Sequence, residues 1–225
     1  MEKVDSNPIP KVPLGFNEEK VRWSELYHKL FHVRILFLCK PLDKKTADLI
    51  VKSFMFLHQE DKTKDYILFL NCRGGGMTEG VSIYDTMQYL DGDVTTLGYG
   101  MNASMGAFVL YGGTITKRLV SDNARVMLHQ PHMSASECRT AEESAFDAEY
   151  MNDLRTYVLN AYLSGTQEDY EMIHFLLERD VFLLPEVAVD LGIIDEVGID
   201  LDILRYHNKD PDDFFSVKKD DLFSV

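Results

Sequence analysis

Short apolar segments alternate along this chain with segments of helical periodicity, and this alternation restricts the possible folds more than any other feature of the sequence. Four segments rich in apolar and β-branched residues predict strands: 33–39, 66–71, 94–100 and 125–128. Apolar residues spaced three and four apart predict two helices. The first covers 43–59 with Ala47, Ile50, Phe54 and Leu57, and the second follows the strand at 66–71 with Val81, Tyr84 and Met87. Such alternation is typical of an α/β fold with a parallel sheet and right-handed crossovers.

The size and charge of the chain limit the classes of protein to which it can belong. With 225 residues, 45% of them hydrophobic, it is long enough for one sizeable core, and we expect one domain. Its 37 acidic and 23 basic residues give a net charge of −14, which argues against nucleic acid or an anionic membrane as a partner. No apolar segment approaches the ~20 residues of a membrane-spanning helix, so we expect a soluble protein.

The cysteines and the N-terminal residues indicate the cellular compartment in which the protein functions. Cys39, Cys72 and Cys138 form no CxxC pair, so the sequence predicts neither a zinc site nor a disulfide framework, and a reducing compartment fits best. The first 16 residues have no apolar core, unlike a secretory signal, and are not Arg-rich, unlike a transit peptide. These features predict a protein that functions in the compartment where it is synthesised.

Both ends of the chain lie outside the alternation. Residues 1–20 contain Pro8, Pro10 and Pro13, which exclude a long helix and predict an arm or loop. The last residues contain the near-repeats DDFFSVKK and DDLFSV. They predict an acidic disordered extension or, alternatively, a docking segment that uses three aromatic residues: Phe214, Phe215 and Phe223.

Residues 140–164 predict an unusually long helix. The segment begins with a capping-box pattern from Thr140 to Glu143, ends at Gly165, and carries one apolar stripe: Met151, Leu154, Val158 and Ala161. At 1.5 Å per residue the helix would be ~36 Å long, which is more than one small domain needs. We therefore expect it to project and to pack against another subunit.

Ser104 is the first candidate catalytic residue. It lies among glycines and small residues directly after a predicted strand, in GYGMNASMGAF, and a helix is plausible from Ser104 onward. The pattern resembles the G-x-S-x-G turn of serine hydrolases, with Asn102 at the first glycine position, where Asn tolerates the left-handed conformation. By itself such a turn is also typical of close packing.

A serine nucleophile needs a base and a carboxylate that orients the base. His129 follows the strand 125–128 and so lies at the C-terminal end of a strand, where the binding and catalytic sites of α/β proteins are concentrated. His132 is nearby but lies beyond Pro131. The other histidines lie on helix-like or terminal segments, where solvated side chains are expected: His28, His32, His58, His174 and His207. Asp180 follows a predicted helix and precedes an apolar segment. The order Ser, His, Asp differs from that of α/β-hydrolases, but triads are defined by geometry.

The segment Asn71-Cys-Arg-Gly-Gly-Gly76 predicts a strip of backbone donors for an oxyanion, because glycines after a strand allow a substrate to approach closely. The alternative is a phosphate-binding loop. That alternative is disfavoured because no Lys-Ser/Thr pair follows the glycines and no GxGxxG pattern is present.

Together these residues resemble the proteolytic subunit of the Clp protease family, in particular its plastid-encoded form. The resemblance runs from about Trp23 to Val197, and five segments carry it: GVSIYDTMQYL (80–90), MNASMGAFVLYGG (101–113), ITKRL (115–119), ARVMLHQP (124–131) and ERDVFLLPEVAVDLGIIDEV (178–197). It implies that Ser104 is the nucleophile, that His129 is the base, and that Asp180 completes the triad. It also implies that the backbone N–H groups of Gly75 and Met105 form the oxyanion hole.

The resemblance further implies a crotonase-like ββα fold with a projecting handle helix at about 140–164. The expected assembly is two stacked heptameric rings of like or different proteolytic subunits, fed with unfolded protein by an AAA+ ATPase. The chain itself would need no cofactor or metal, since ATP is used by that partner. The implied domains are an N-terminal arm or axial loop (1–22), a protease domain (23–198) and an acidic C-terminal extension (199–225).

One departure from the family bears on function. The family usually has Asn-Ser-Pro-Gly-Gly where this chain has Asn71-Cys-Arg-Gly-Gly75, so that Arg73 replaces a rigid proline beside the predicted oxyanion hole. A ring subunit that does not cut, with Arg73 blocking substrate, is therefore an alternative, and an acyl-CoA enzyme of crotonase type is another. The resemblance implies the plastid stroma, with the bacterial cytoplasm as the alternative.

Overall fold

The computed structural model describes residues 10–17, 20–132 and 140–198. The predictions for the acidic tail, for Cys138 and for His207 lie outside the described residues. In chain order the elements are β1 (Lys11–Asn17), β2 (Lys20–Glu25), α1 (Leu26–His32), β3 (Ile35–Leu38), α2 (Lys44–Glu60), β4 (Tyr66–Leu70), α3 (Met77–Tyr89), β5 (Val94–Gly98), β6 (Met101–Ala103), α4 (Met105–Tyr111), β7 (Arg118–Val120), β8 (Arg125–Leu128), α5 (Ala141–Gly165), α6 (Tyr170–Glu178), β9 (Val181–Leu183), α7 (Pro185–Asp190) and β10 (Glu196–Val197).

The chain divides into two compact units, and the part before Phe37 belongs to the smaller one. There β1 and β2 form an antiparallel hairpin, followed by α1. The prediction of an arm or loop for residues 1–20 is therefore wrong for Lys11–Asn17. A two-stranded hairpin consists of edge strands only, and edges tolerate a proline; the register shifts between Pro13 and Phe16.

The larger unit, Phe37–Ile199, contains the predicted α/β alternation. Its main sheet has five strands in the order β10-β7-β5-β4-β3, and the pairs β4–β5, β5–β7 and β7–β10 are parallel. The predicted strands at 33–39, 66–71 and 94–100 are confirmed with shorter bounds, and the one at 125–128 is confirmed with the predicted bounds. The short strands β6, β7 and β9 were not predicted, since three residues are too few for a periodicity to register.

The helix predicted over 43–59 is confirmed as α2, and its four predicted apolar positions are all buried: Ala47, Ile50, Phe54 and Leu57. Asp43 caps this helix, because its carboxylate accepts a hydrogen bond from the Thr46 N–H at 2.8 Å. This bond lowers the pKa of Asp43 below its ordinary value. Burial of one face on the sheet and a cap at the first turn thus fix the start of α2.

The long predicted helix is confirmed as α5, which extends from Ala141 to Gly165. Thr140 and Glu143 form the predicted capping box: the Thr140 hydroxyl accepts from the Glu143 N–H at 3.2 Å, and the Glu143 carboxylate accepts from the Thr140 N–H at 2.9 Å. The second half of α5 packs on the rest of the larger unit through three buried residues: Val158, Leu159 and Tyr162. Within the described part of the chain, no helix is both long and apolar enough to cross a membrane.

A buried ion pair ties β7 to the residue before β10. The Arg118 guanidinium donates to both oxygens of Asp195 at 2.9 and 2.6 Å, and only 4% and 17% of the two side chains are exposed. Burial by itself raises the pKa of Asp195, but the hydrogen bonds and the charge of Arg118 outweigh it and leave this pKa below its ordinary value. The pair thus links two strands that are distant in sequence.

Replacing Asp195 by asparagine is expected to lower the free energy of unfolding by about 3 kcal/mol at pH 7, because the buried guanidinium loses its counter-ion. Since folding lowers the pKa of Asp195, its contribution is present above about pH 4 and is lost as pH falls through the lowered pKa. Urea midpoints at pH 7 and pH 3 measure both effects, with the exposed Asp190→Asn as control. Equal midpoints for D195N and wild type at pH 7 would contradict the prediction.

Candidate active site

The small three-stranded sheet brings the predicted site residues together. Its order is β6-β8-β9, with β6 parallel and β9 antiparallel to β8. In the antiparallel pair Leu128 lies opposite Val181, so the next residues outward along the ladder are His129 and Asp180. In the parallel pair Ala103 lies opposite Met127, which places Ser104 beside the end of β8. Three residues distant in sequence therefore meet because two strand pairings share β8.

The three side chains form a continuous hydrogen-bonded chain. His129 Nε2 lies 2.8 Å from Ser104 Oγ, and His129 Nδ1 lies 3.0 Å from Asp180 Oδ1. The imidazole is largely buried, at 14% exposed, whereas the Asp180 side chain is 69% exposed. When Nδ1 donates to the carboxylate, Nε2 is free to accept the serine proton. This geometry is the one required for a base that activates a hydroxyl.

Ser104 adopts a strained backbone conformation, with φ 55° and ψ −127°. It stands at the N-terminus of α4, where its N–H donates to the Met127 carbonyl at 2.8 Å and its carbonyl accepts from the Phe108 N–H at 3.1 Å. Non-glycine residues rarely occupy positive φ, and such residues are concentrated at functional sites. These bonds hold the sharp strand-to-helix turn that presents the hydroxyl.

Asn102 has a different role from the one its sequence context suggested. The expectation of a left-handed turn residue is wrong, because Asn102 lies in β6 and Ser104 carries the positive φ instead. Asn102 is fully buried, and its Oδ1 accepts from the Cys72 N–H at 3.3 Å. In return the Met101 N–H donates to Asn71 Oδ1 at 3.2 Å, and the Ala103 N–H donates to the Cys72 carbonyl at 2.9 Å. These bonds fix the glycine strip against the strand that leads to Ser104.

The glycine strip runs close to Ser104. A Cβ on Gly74 would lie 2.7 Å from the Ser104 Cβ, and its φ of +93° also favours glycine. The Leu42 N–H donates to the Gly74 carbonyl and the Gly76 N–H donates to the Leu42 carbonyl, so the intervening Gly75 N–H faces away from Leu42. Among the described residues, no hydrogen-bond acceptor is found for the N–H of Gly75 or Met105. Two free backbone donors thus border the same cleft as Ser104.

On the expectation from the resemblance that the Gly75 N–H is an oxyanion donor of a peptidase, replacing Gly75 by alanine is expected to lower kcat for peptide hydrolysis about 10²-fold. The added Cβ would lie 2.2 Å from the Leu42 carbonyl oxygen, and the φ of +149° is strained for alanine, so the strip and its N–H must move. Steady-state kinetics measure the loss, and circular dichroism with a thermal melt reports whether the fold persists. A folded G75A enzyme with wild-type kcat would exclude this donor.

The cleft beside Ser104 has a volume of about 580 Å³, within the range of ligand sites. Its walls are mainly apolar, and α5 supplies a large share of them: Tyr150, Met151, Leu154, Val158 and Tyr162. The glycine strip and the first turn of α3, including Glu79, also line the cleft. A cleft of this composition accommodates a bulky apolar side chain next to a bond placed at Ser104.

Three further residues lie near Ser104 and His129: Arg73, Cys72 and His132. Arg73 is exposed and lines the cleft without separating Ser104 from His129. Cys72 is fully buried, and this burial raises the pKa of its thiol, so Cys72 is not an available nucleophile. The His132 ring meets the His129 ring edge to face at 5.1 Å. In the described part of the chain, no group of three His, Cys, Asp or Glu residues could hold a metal ion.

The expectation of a solvated histidine is wrong for His58, which is 5% exposed. His58 lies four residues after Phe54, so its side chain continues the buried face of α2 beyond the apolar positions. His174 lies on α6, where its Nε2 is 3.1 Å from an Arg155 nitrogen. Within the described residues, neither histidine is hydrogen-bonded to Ser104, whereas His129 Nε2 lies 2.8 Å from Ser104 Oγ.

Known proteins resemble this chain over most of its length. Residues 17–200 match the family model for Clp protease. The ATP-dependent Clp protease proteolytic subunit of Panax ginseng is 40% identical over 193 residues, which cover 85% of this chain and 98% of the relative. The proteins of that name from Chaetosphaeridium globosum and Nicotiana tabacum are 38% and 40% identical over 195 and 193 residues; they cover 86% and 85% of this chain, and 96% and 98% of their own lengths. The chain therefore belongs to the Clp protease family, a family of serine peptidases.

Proposed function

We propose that this chain is a proteolytic subunit that cleaves polypeptides with Ser104 as nucleophile, His129 as base and Asp180 as the carboxylate that orients the imidazole. The observation that carries the proposal is the 2.8 Å separation between His129 Nε2 and Ser104 Oγ, with Asp180 on the other ring nitrogen. Ser104 attacks the scissile carbonyl as His129 takes its proton, and an acyl-enzyme forms as the leaving amine takes that proton. Water then hydrolyses the acyl-enzyme by the reverse proton transfers.

The oxyanion of both tetrahedral intermediates is stabilised by the N–H groups of Gly75 and Met105. Support comes from their free donors and from their position on the wall that also contains Ser104. These donors act without reorganisation because Asn102 and Leu42 hold the strip in place. Protein groups supply every step, so the hydrolysis itself needs no cofactor or metal.

The proposed assembly is the double heptameric ring of this family, with α5 as the handle helix between rings and residues 23–198 as the peptidase domain of crotonase-like fold. In support, α5 has 25 residues and its first half exposes large apolar side chains, 72% of Phe146 and 45% of Tyr150. Unfolded polypeptides would enter from an AAA+ ATPase that consumes ATP. The plant relatives favour the plastid as the location.

The test combines two measurements on the purified particle assembled from this chain. A fluorophosphonate probe is expected to label Ser104, as mass spectrometry of the modified peptide would show, and the same sample is expected to hydrolyse fluorogenic peptides. Prior labelling should abolish turnover in proportion to the fraction of Ser104 modified. A well-formed particle that neither labels nor cleaves would support a non-cutting ring subunit instead. Tight thioester binding without dependence on Ser104 would favour an acyl-CoA enzyme.

A further inference from the structure

Five aromatic side chains form a cluster, here called the aromatic cluster, that joins three helices: Tyr84 of α3, Phe108 and Tyr111 of α4, and Tyr157 and Tyr162 of α5. The Tyr84 and Phe108 rings stack at 4.5 Å between centroids, and Tyr111 and Tyr162 meet at 4.6 Å. Phe108 also meets the Tyr162 ring edge to face at 5.6 Å. Since α4 begins directly after Ser104, the cluster connects the candidate nucleophile to α5.

Two tyrosine hydroxyls in this cluster make hydrogen bonds between helices. The Tyr111 hydroxyl donates to the Ala161 carbonyl at 2.7 Å and joins α4 to α5. The Tyr157 hydroxyl donates to the Asp85 carboxylate and joins α5 to α3. Burial raises the pKa of Tyr157, and so do the hydrogen bond to Asp85 and its charge, so this phenol stays protonated and remains a donor at neutral pH. Hydrogen bonds to a charged acceptor are stronger than neutral ones.

The bond from Tyr157 to Asp85 acts at the point of α5 that lines the cleft. Leu154 lies one turn before Tyr157 and Val158 lies directly after it, and both contribute to the cleft wall. The first half of α5 is mostly exposed, so the position of the wall depends on the bonds that hold α5 from Arg155 onward. Arg155 bonds to Glu178 of α6, and Tyr157 provides the side-chain bond to α3. Loss of one hydroxyl there would let the wall move relative to Ser104.

We propose that Tyr157 is a positioning residue: its hydrogen bond to Asp85 holds α5 against α3 and thereby sets the width of the cleft that receives the substrate side chain beside the scissile bond. The inference deepens the proposed peptidase function and rests on it. Tyr157 touches no reacting atom. Its effect therefore falls on substrates that fill the cleft and spares reagents that reach only Ser104.

The test compares Tyr157→Phe with wild type on two fluorogenic peptides that differ only in the residue before the scissile bond, leucine or alanine. We expect kcat/KM for the leucine peptide to fall about tenfold, mainly through a higher KM, the scale of one hydrogen bond to a charged group. The alanine peptide should change less than about twofold, as should the rate of acylation by a small fluorophosphonate. Tyr89→Phe, which removes the hydroxyl of an exposed tyrosine on α3, serves as the matched control.

Variants of the acceptor keep the proposal falsifiable. Asp85→Asn keeps an acceptor oxygen, so it should retain most of the wild-type preference for the leucine peptide. Asp85→Ala removes the acceptor and should match Tyr157→Phe. The double variant Tyr157→Phe/Asp85→Ala should be no worse than either single one, because both remove the same bond. Equal losses on all substrates and on acylation, or no change in Y157F, would overturn the inference while leaving the peptidase proposal intact. Wild type that neither labels nor cleaves would overturn both.

Discussion

Replacing Ser104 by alanine is expected to lower kcat for peptide hydrolysis by a factor of about 10⁴ to 10⁶, with little change in KM. The hydroxyl 2.8 Å from His129 Nε2 would be lost, so no acyl-enzyme could form and only binding and the oxyanion donors would remain. Peptide turnover and fluorophosphonate labelling of particles assembled from this chain alone measure the effect. Labelling should disappear together with turnover.

The control for this experiment is Ser82→Ala, since Ser82 is exposed on α3 and does not line the cleft. Both variants should assemble as wild type does, because the Ser104 backbone bonds to Met127 and Phe108 do not involve the hydroxyl. His129→Ala should cost about as much as Ser104→Ala, and the double variant no more, since the two groups act as one unit. Cleavage at the wild-type rate by a pure S104A particle would exclude Ser104 as the nucleophile.

Helices that bury one regular face were predictable from the sequence alone. The four apolar positions of α2 recur with the helical period, and all four are buried. The capping box of α5 is local, so Thr140 and Glu143 could be recognised without knowledge of the rest of the fold. The region of Ser104 could also be singled out, because small residues after a strand indicate a turn with an exposed side chain. Local patterns of this kind involve few residues that are close in sequence, so they can be recognised in a single sequence.

Features that depend on pairing between distant segments could not be predicted in the same way. The Arg118–Asp195 pair joins residues 77 positions apart, and nothing around either residue indicates the other. The hydrogen bond from the Cys72 N–H to Asn102 Oδ1 is equally non-local, so the local sequence around Asn102 indicates a turn instead. Likewise, the order of β6, β8 and β9 decides that Asp180 lies opposite His129. Only the family resemblance indicated that Asp180, among many acids, belongs beside the imidazole.

Replacing Asp180 by asparagine is expected to lower kcat about 10³- to 10⁴-fold. The asparagine NH₂ can donate to His129 Nδ1, which favours the tautomer with hydrogen on Nε2, and that tautomer cannot accept the Ser104 proton. Because the Asp180 side chain is 69% exposed, water screens part of its charge, so orienting the ring and fixing its tautomer account for most of its contribution.

The same reasoning sets D180N apart from the serine variant. In Asp180→Asn the nucleophile is intact, so fluorophosphonate should still label Ser104 completely, but at a rate reduced in parallel with turnover. The exposed Asp190→Asn removes the same charge elsewhere in the larger unit and should leave both rates within about twofold of wild type. An unchanged labelling rate in D180N would mean that the 3.0 Å contact with Nδ1 does not orient the base. A parallel loss would show that catalysis depends on an exposed carboxylate held opposite His129 by the β8–β9 register.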